Sequence, residues 1–112
     1  METKDKGIVE LEKGKKKPVK CHKFTCNPIK RELMVHEDID NKNHTSVSDC
    51  KTGYRLFGLP IKISSVKSTD IINELKRFIA HYTKEGIAEE FKRIEKLQEL
   101  NDLLHTTLKK DS

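Results

Sequence analysis

Apolar residues recur at Ile71, Ile72, Leu75, Phe78, Ile79 and Tyr82, in steps of one, three and four. That spacing lays a single stripe along a helix of 3.6 residues per turn and fits no alternating strand. Ser68, Thr69 and Asp70 precede the stripe and can cap its first free amides. Gly86 supplies a left-handed stop at the far end, with Lys84 in the last turn suited to the helix dipole. A second stripe runs through Ile87, Phe91, Ile94, Leu97, Leu100, Leu103, Leu104 and Leu108, and Glu89, Lys92, Arg93, Lys96 and Glu99 fill the remaining faces. A helix from Ile87 to Leu108 would be about 33 Å long. Its steps of three from Phe91 to Leu100 make the stripe drift, so no sustained two-stranded coiled coil is written there. A tight link at Gly86 instead predicts an antiparallel helical hairpin over 69–108.

Upstream the pattern is shorter and alternates. Strands are predicted at 8–12 and 19–24, separated by the basic turn Lys13-Gly14-Lys15-Lys16-Lys17-Pro18. Asn27-Pro28 marks a turn, and 32–36 is a third strand with a short helix as its close rival. Residues 37–49 are polar and read as loop. Tyr54-Arg55-Leu56-Phe57 and Ile61-Lys62-Ile63 read as strands broken at Gly58-Leu59-Pro60, where the proline keeps the chain at an edge or turn. The expected fold is α+β and a single domain: residues 1–7 disordered, then a small irregular antiparallel β region over 8–63, then the hairpin.

Composition qualifies this picture. Among 112 residues, 34% are hydrophobic and 37% charged, both on the polar side for a globular chain. Such a chain keeps a loose segment or completes its burial against something else. It has no apolar run of the length a membrane helix needs, and residues 1–6 lead into no apolar signal region. Three cysteines are an odd number for a disulfide framework, so a reducing, cytoplasmic setting is expected.

Charge is unevenly placed. Residues 1–31 hold ten Lys or Arg against four Asp or Glu, whereas 69–112 hold eight against nine. The basic residues Lys13, Lys15, Lys16, Lys17, Lys20, Lys23, Lys30 and Arg31 suit contact with phosphates, which would be strongly salt dependent. Phe24 is the only aromatic residue near them, so stacking platforms for bases are few. The ordinary alternative is a solvated basic loop.

Cys21, Cys26, His44 and Cys50 form a Cys-x4-Cys pair and a His-x5-Cys pair, a donor set suited to one structural zinc. Both spacings are longer than is usual for paired ligands, and His22 and His36 are rival donors. Without metal, the cysteines are small apolar residues or free thiols.

Enzymatic signatures are absent. Gly53, Gly58 and Gly86 are isolated, so no phosphate-cradling loop is present, and Glu37, Asp38 and Asp40 lack the spacing of a calcium loop. The expectation is therefore a non-enzymatic binding protein. In the leading form it is an interaction or inhibitor-type module that meets a protein partner through Phe91, Ile94, Leu97, Leu103, Leu104 and Leu108. In the alternative it is a nucleic-acid-binding protein using its basic N-terminal third, with or without zinc. Short Lys-, Ile- and Asn-rich chains without catalytic motifs are frequent among accessory proteins of phages and mobile elements, an analogy of composition alone. Pattern leaves monomer and dimer open: an exposed second stripe favours a dimer, a packed one a monomer.

Overall fold

A computed structural model describes residues 1–11, 14–82 and 84–110, and for 28, 84, 85 and 101–110 it describes the backbone alone. Five strands precede two helices: β1 (Asp5–Glu10), β2 (Lys16–Cys26), β3 (Arg31–Glu37), β4 (Thr45–Asp49), β5 (Arg55–Leu59), α1 (Ser68–Ala80) and α2 (Lys84–Lys110). The strands form one antiparallel sheet in the order β1-β2-β3-β4-β5, each paired with its neighbour in sequence. The α+β class and the C-terminal position of both helices are as the pattern predicted.

The β2–β3 connection follows from Asn27-Pro28. A 3-10 turn at Asn27–Ile29 closes with the Lys30 amide donating to the Asn27 carbonyl at 3.1 Å. Lys30 pays for this turn with a left-handed backbone, φ 50°, a conformation that a side chain with a Cβ adopts at some cost.

The sheet curls. The Glu10 amide donates to the Gly53 carbonyl at 2.9 Å, so the end of β1 meets the β4–β5 loop. Gly53 has φ 76°, and a Cβ on it would lie 2.7 Å from the Ile8 carbonyl oxygen and 2.8 Å from the Glu10 nitrogen. Both the left-handed turn and the close approach of β1 therefore require glycine there.

Alternation divides the sheet's side chains between two cores. On one face Cys26, Leu33, Val35, Val47 and Leu59 pack with Val66 and with Ile71 and Leu75 of α1. On the other, Val9, Cys21 and Met34 pack together with Leu11, Val19, Ile39 and Cys50 at their margin. At about 1.5–3 kcal/mol for each fully buried aliphatic side chain, Ile71 and Leu75 are what hold α1 to the sheet. At its start, the Asp70 carboxylate accepts the Lys67 amide at 2.9 Å, which serves one donor outside the helix and places negative charge at the positive end of its dipole. Phe78 extends the contact, with its ring 5.7 Å from Phe57 and 5.3 Å from Tyr82.

Several expectations are corrected. Residues 45–49 are an interior strand, not loop, and are buried throughout; all but Val47 have polar side chains satisfied by hydrogen bonds instead of apolar contact, which hid them from an apolar pattern. Residues 61–63 are turn and bend, where the Ile61 carbonyl accepts the Thr45 hydroxyl at 2.7 Å. Disorder over 1–7 is not what is found: β1 starts at Asp5, and the Met1 ammonium donates to the Ile63 carbonyl at 2.7 Å. Gly86 lies inside α2 and stops nothing. The break comes earlier, where the His81 and Tyr82 amides turn back to the Phe78 and Ile79 carbonyls at 3.3 and 3.1 Å and tighten the end of α1.

Candidate functional site

The second helix is seated on the turns of the sheet. Ile87, Phe91 and Ile94 are buried against Ile29, Tyr54, Leu56, Ile79 and Tyr82. Beside them the Arg31 fork is spent on two carboxylates: Nε and one terminal nitrogen donate to Asp49 at 2.7 Å each, and the other terminal nitrogen to Glu95 at 2.7 Å. The guanidinium also lies 4.6 Å over the Phe91 ring. Asp49 is fully buried and further accepts the Thr52 hydroxyl at 2.6 Å and amide at 3.1 Å. Its hydrogen bonds above all, and then those of Glu95, hold Arg31 charged against the opposing effect of burial. Hydrogen bonds from Arg31 and Lys51 keep the Glu95 carboxyl below its ordinary range. The last described bond between helix and body is Gln98 Nε2 to the Thr52 carbonyl, 2.8 Å.

Of the six residues expected to meet a partner, Phe91 and Ile94 are thus core, because their stripe is the one that faces the sheet. Leu97 is 37% exposed, and Leu100, which the expected set omitted, is 49% exposed. Leu103, Leu104 and Leu108 lie outside the described side chains. Between the seat and the β2–β3 turn a groove of about 740 Å³ is lined by Ile29, Lys30, Ile79, Tyr82, Ile87 and Phe91, among others.

The basic set is likewise divided. Arg31 is engaged as above, Lys30 borders the groove, and Lys13 lies outside the described residues. Lys15, Lys16, Lys17, Lys20 and Lys23 are exposed on β2 or at its start. Lys6 joins them from β1, directly opposite Lys20 in the register. The signal for Lys6 lay in a segment read as disordered; the alternation that makes β1 begins only at Gly7 and Ile8.

The four zinc donors are not brought together. Cys21 and Cys26 lie five residues apart on one strand, so they face opposite sides and enter different cores. His44 sits in a turn with its amide donating to the Asn41 carbonyl at 3.1 Å. Among the described residues no group of three or more His, Cys, Asp or Glu is placed to hold a metal ion. Burial pushes the thiols of Cys21 and Cys26 up, and that of Cys50 up to about 12, which disfavours the thiolate form a metal would need.

A feature missed in the sequence is a polar cavity of about 430 Å³ on the sheet face away from α1, lined by Val9, His36, Asp38, Ser46, Ser48 and Arg55, among others. His36 Nδ1 lies 2.8 Å from the Glu37 carbonyl oxygen, which can only accept, so Nδ1 carries the proton. In the neutral ring Nε2 then accepts the Ser48 hydroxyl at 2.7 Å. Burial pushes His36 below the ordinary histidine range, opposed by the Glu37 carbonyl and Asp38. The Ser46 hydroxyl donates to Asp38 at 2.8 Å, and Arg55 stands 3.9 Å from the same carboxylate. His36, Ser46, Ser48 and Asp38 each have a hydrogen-bond partner, so these four form a satisfied network.

No helix among the described residues is long and apolar enough to cross a membrane. No protein-family model, curated protein or solved structure matches this chain.

Proposed function

We propose that the protein is a non-enzymatic binding protein, a regulatory or inhibitor-type interaction module, and that it engages a protein partner through the part of α2 beyond its seat. The observation that carries this reading is the exposure of Leu97 and Leu100 on α2 beyond its seat, 37% and 49%. The helix continues to Lys110, about 18 Å past Gln98 at 1.5 Å per residue. Leu97 and Leu100, half-exposed at its root, begin an apolar spacing that the sequence continues as Leu103, Leu104 and Leu108. A protein partner with a complementary apolar groove would cover this strip.

The test is a paired substitution, Leu97→Ser with Leu100→Ser, with affinity capture from nuclease-treated native lysate and a thermal melt of the purified protein. The expected result is a stoichiometric protein partner with the wild type, at least a tenfold loss of it with the variant, and a melt within a few degrees of wild type. A variant that keeps the partner, or that loses its fold along with it, means these leucines belong to the core or are idle, and the reading fails.

A further inference from the structure

We propose that the groove between the β2–β3 turn and the two helices is a small-molecule site, separate from the leucine strip of α2, and that its ligand is a long-chain fatty acid anion. The groove has a volume of about 740 Å³, within the roughly 300–1,000 Å³ of small-molecule sites. Three elements build it: Ile29 and Lys30 come from the turn, Ile79 from α1, and Ile87, Phe91 and Lys92 from α2. Its floor is apolar, and the charged side chains at its edge fall into two kinds. Arg31 and Glu95 are engaged with each other at 2.7 Å. Lys30 and Lys92 are exposed and make no ion pair among the described residues. Lys30 is moreover held at φ 50°, where glycine or asparagine would be less strained. Backbone strain of this kind collects at ligand sites, and here it fixes the root of a lysine at the groove's edge.

The chemistry of the lining selects the occupant. An apolar floor beside two unpaired cations fits a ligand that is apolar along its length and anionic at one end. A peptide laid along the floor carries a polar amide at every residue, and each one buried without a partner is costly. The side chains of Ile29, Ile79, Ile87 and Phe91 offer no such partner. An acyl chain has no polar group except its carboxylate, which the two lysines meet in water at the rim. The site also lies apart from the leucine strip. At about 100° per residue, Ala88, Lys92 and Glu95 line one side of α2, and Leu97 and Leu100 fall on the far side.

The test is an NMR titration of the full chain with octanoate, decanoate and dodecanoate below their micelle concentrations, with decanol as the uncharged control. Amide shifts should move and saturate at Ile29, Lys30, Ile79, Ile87 and Ala88. Affinity should rise about two- to fourfold per added methylene, fourfold being full burial. Decanoate should bind more tightly than decanol. Lys30→Gln with Lys92→Gln should erase that preference, a loss of about two- to tenfold for the acid, and leave decanol binding and the melt unchanged. Ala88→Glu adds a carboxylate to the lining from an exposed helical position and should weaken binding of every acid in the series. The Leu97→Ser, Leu100→Ser variant should bind decanoate as the wild type does, which separates this site from the strip on α2. Absent saturation, affinity independent of chain length, equal affinity for decanol, shifts outside the groove, or an Ala88→Glu protein that binds as the wild type would each overturn the proposal. So would a preference for phosphatidylserine vesicles or for a helical peptide with a glutamate-rich face. Shifts that depend on protein concentration alone would do the same, because they mark a second copy as the occupant.

Discussion

On the side of β3 and β4 that faces α1, Leu33, Val35 and Val47 are fully buried in a continuous apolar cluster. On the other side, one residue along in each strand, Met34 shares an equally buried surface with His36, Ser46 and Ser48. The same two strands thus exclude water by two different chemistries. The first face gains free energy from apolar area and asks only for shape. The second gains little net from each hydrogen bond, because the same groups bond to water when unfolded, and it stands only while every donor and acceptor is matched. Substitutions on the first face should therefore cost in proportion to volume, and those on the second in proportion to what is left unpaired.

The largest expected effect is on the apolar face. Leu33→Ala removes a fully buried side chain in contact with the α1 cluster and should destabilise by about 3 kcal/mol, the transfer and cavity costs together. Urea titration followed by circular dichroism measures it. A loss below about 1 kcal/mol would mean that the cluster collapses around the gap, and the contrast between the faces would shrink accordingly.

The two faces were not equally legible. The α1 stripe, β2, β3 and the Asn27-Pro28 turn were all visible, because apolar periodicity and turn residues report directly on burial and chain reversal. Thr45-Ser46-Val47-Ser48-Asp49 was not visible. Its single apolar residue gives no period, and its four polar ones are buried only because distant residues, Ile61, Asp38, His36 and Arg31, come to meet them. That information is tertiary. Along α2 the pattern was legible as helix but ambiguous in orientation: Phe91, Ile94 and Leu97 look alike in sequence, and only the position of Arg31 and the β2–β3 turn decides that the first two are core. The basic set erred in the same way, since nothing local distinguishes an Arg31 locked between Asp49 and Glu95 from a lysine open to solvent.

A smaller effect is expected on the polar face. Ser48→Ala removes the hydroxyl that His36 Nε2 accepts from at 2.7 Å and leaves that nitrogen buried without this bond. The cost should be about 1–2 kcal/mol at pH 7, the penalty of one unsatisfied acceptor, again read by urea titration. Ser46→Ala, which removes a donor to an Asp38 carboxylate that keeps the Asp40 amide at 2.8 Å, should cost less. If Ser48→Ala proves neutral, water fills the cavity and takes over the bond, and the face depends less on matched side chains than argued above.

The smallest effect vanishes at neutral pH and grows below it. Burial depresses the folded-state pKa of His36 below the ordinary 6.5, so the unfolded chain binds this proton first as pH falls. The contribution of His36 is then fully present above about pH 6.5 and is lost progressively as pH drops from there toward the folded value. Asp38, Glu90 and Glu95 are depressed as well, but their contributions persist until pH falls through the ordinary carboxylate values of 3.8 and 4.5. The window between about pH 6.5 and 5 therefore isolates the histidine from the carboxylates. Over that window the wild type should lose stability with falling pH, while His36→Gln should show a flatter profile whatever its stability at neutral pH. Leu33→Ala should keep the wild-type slope, because Leu33 and His36 lie on opposite faces of β3. A wild-type profile flat over this window would mean that the polar face admits a charged imidazole without penalty, the opposite of what its burial and its carbonyl-bound Nδ1 imply.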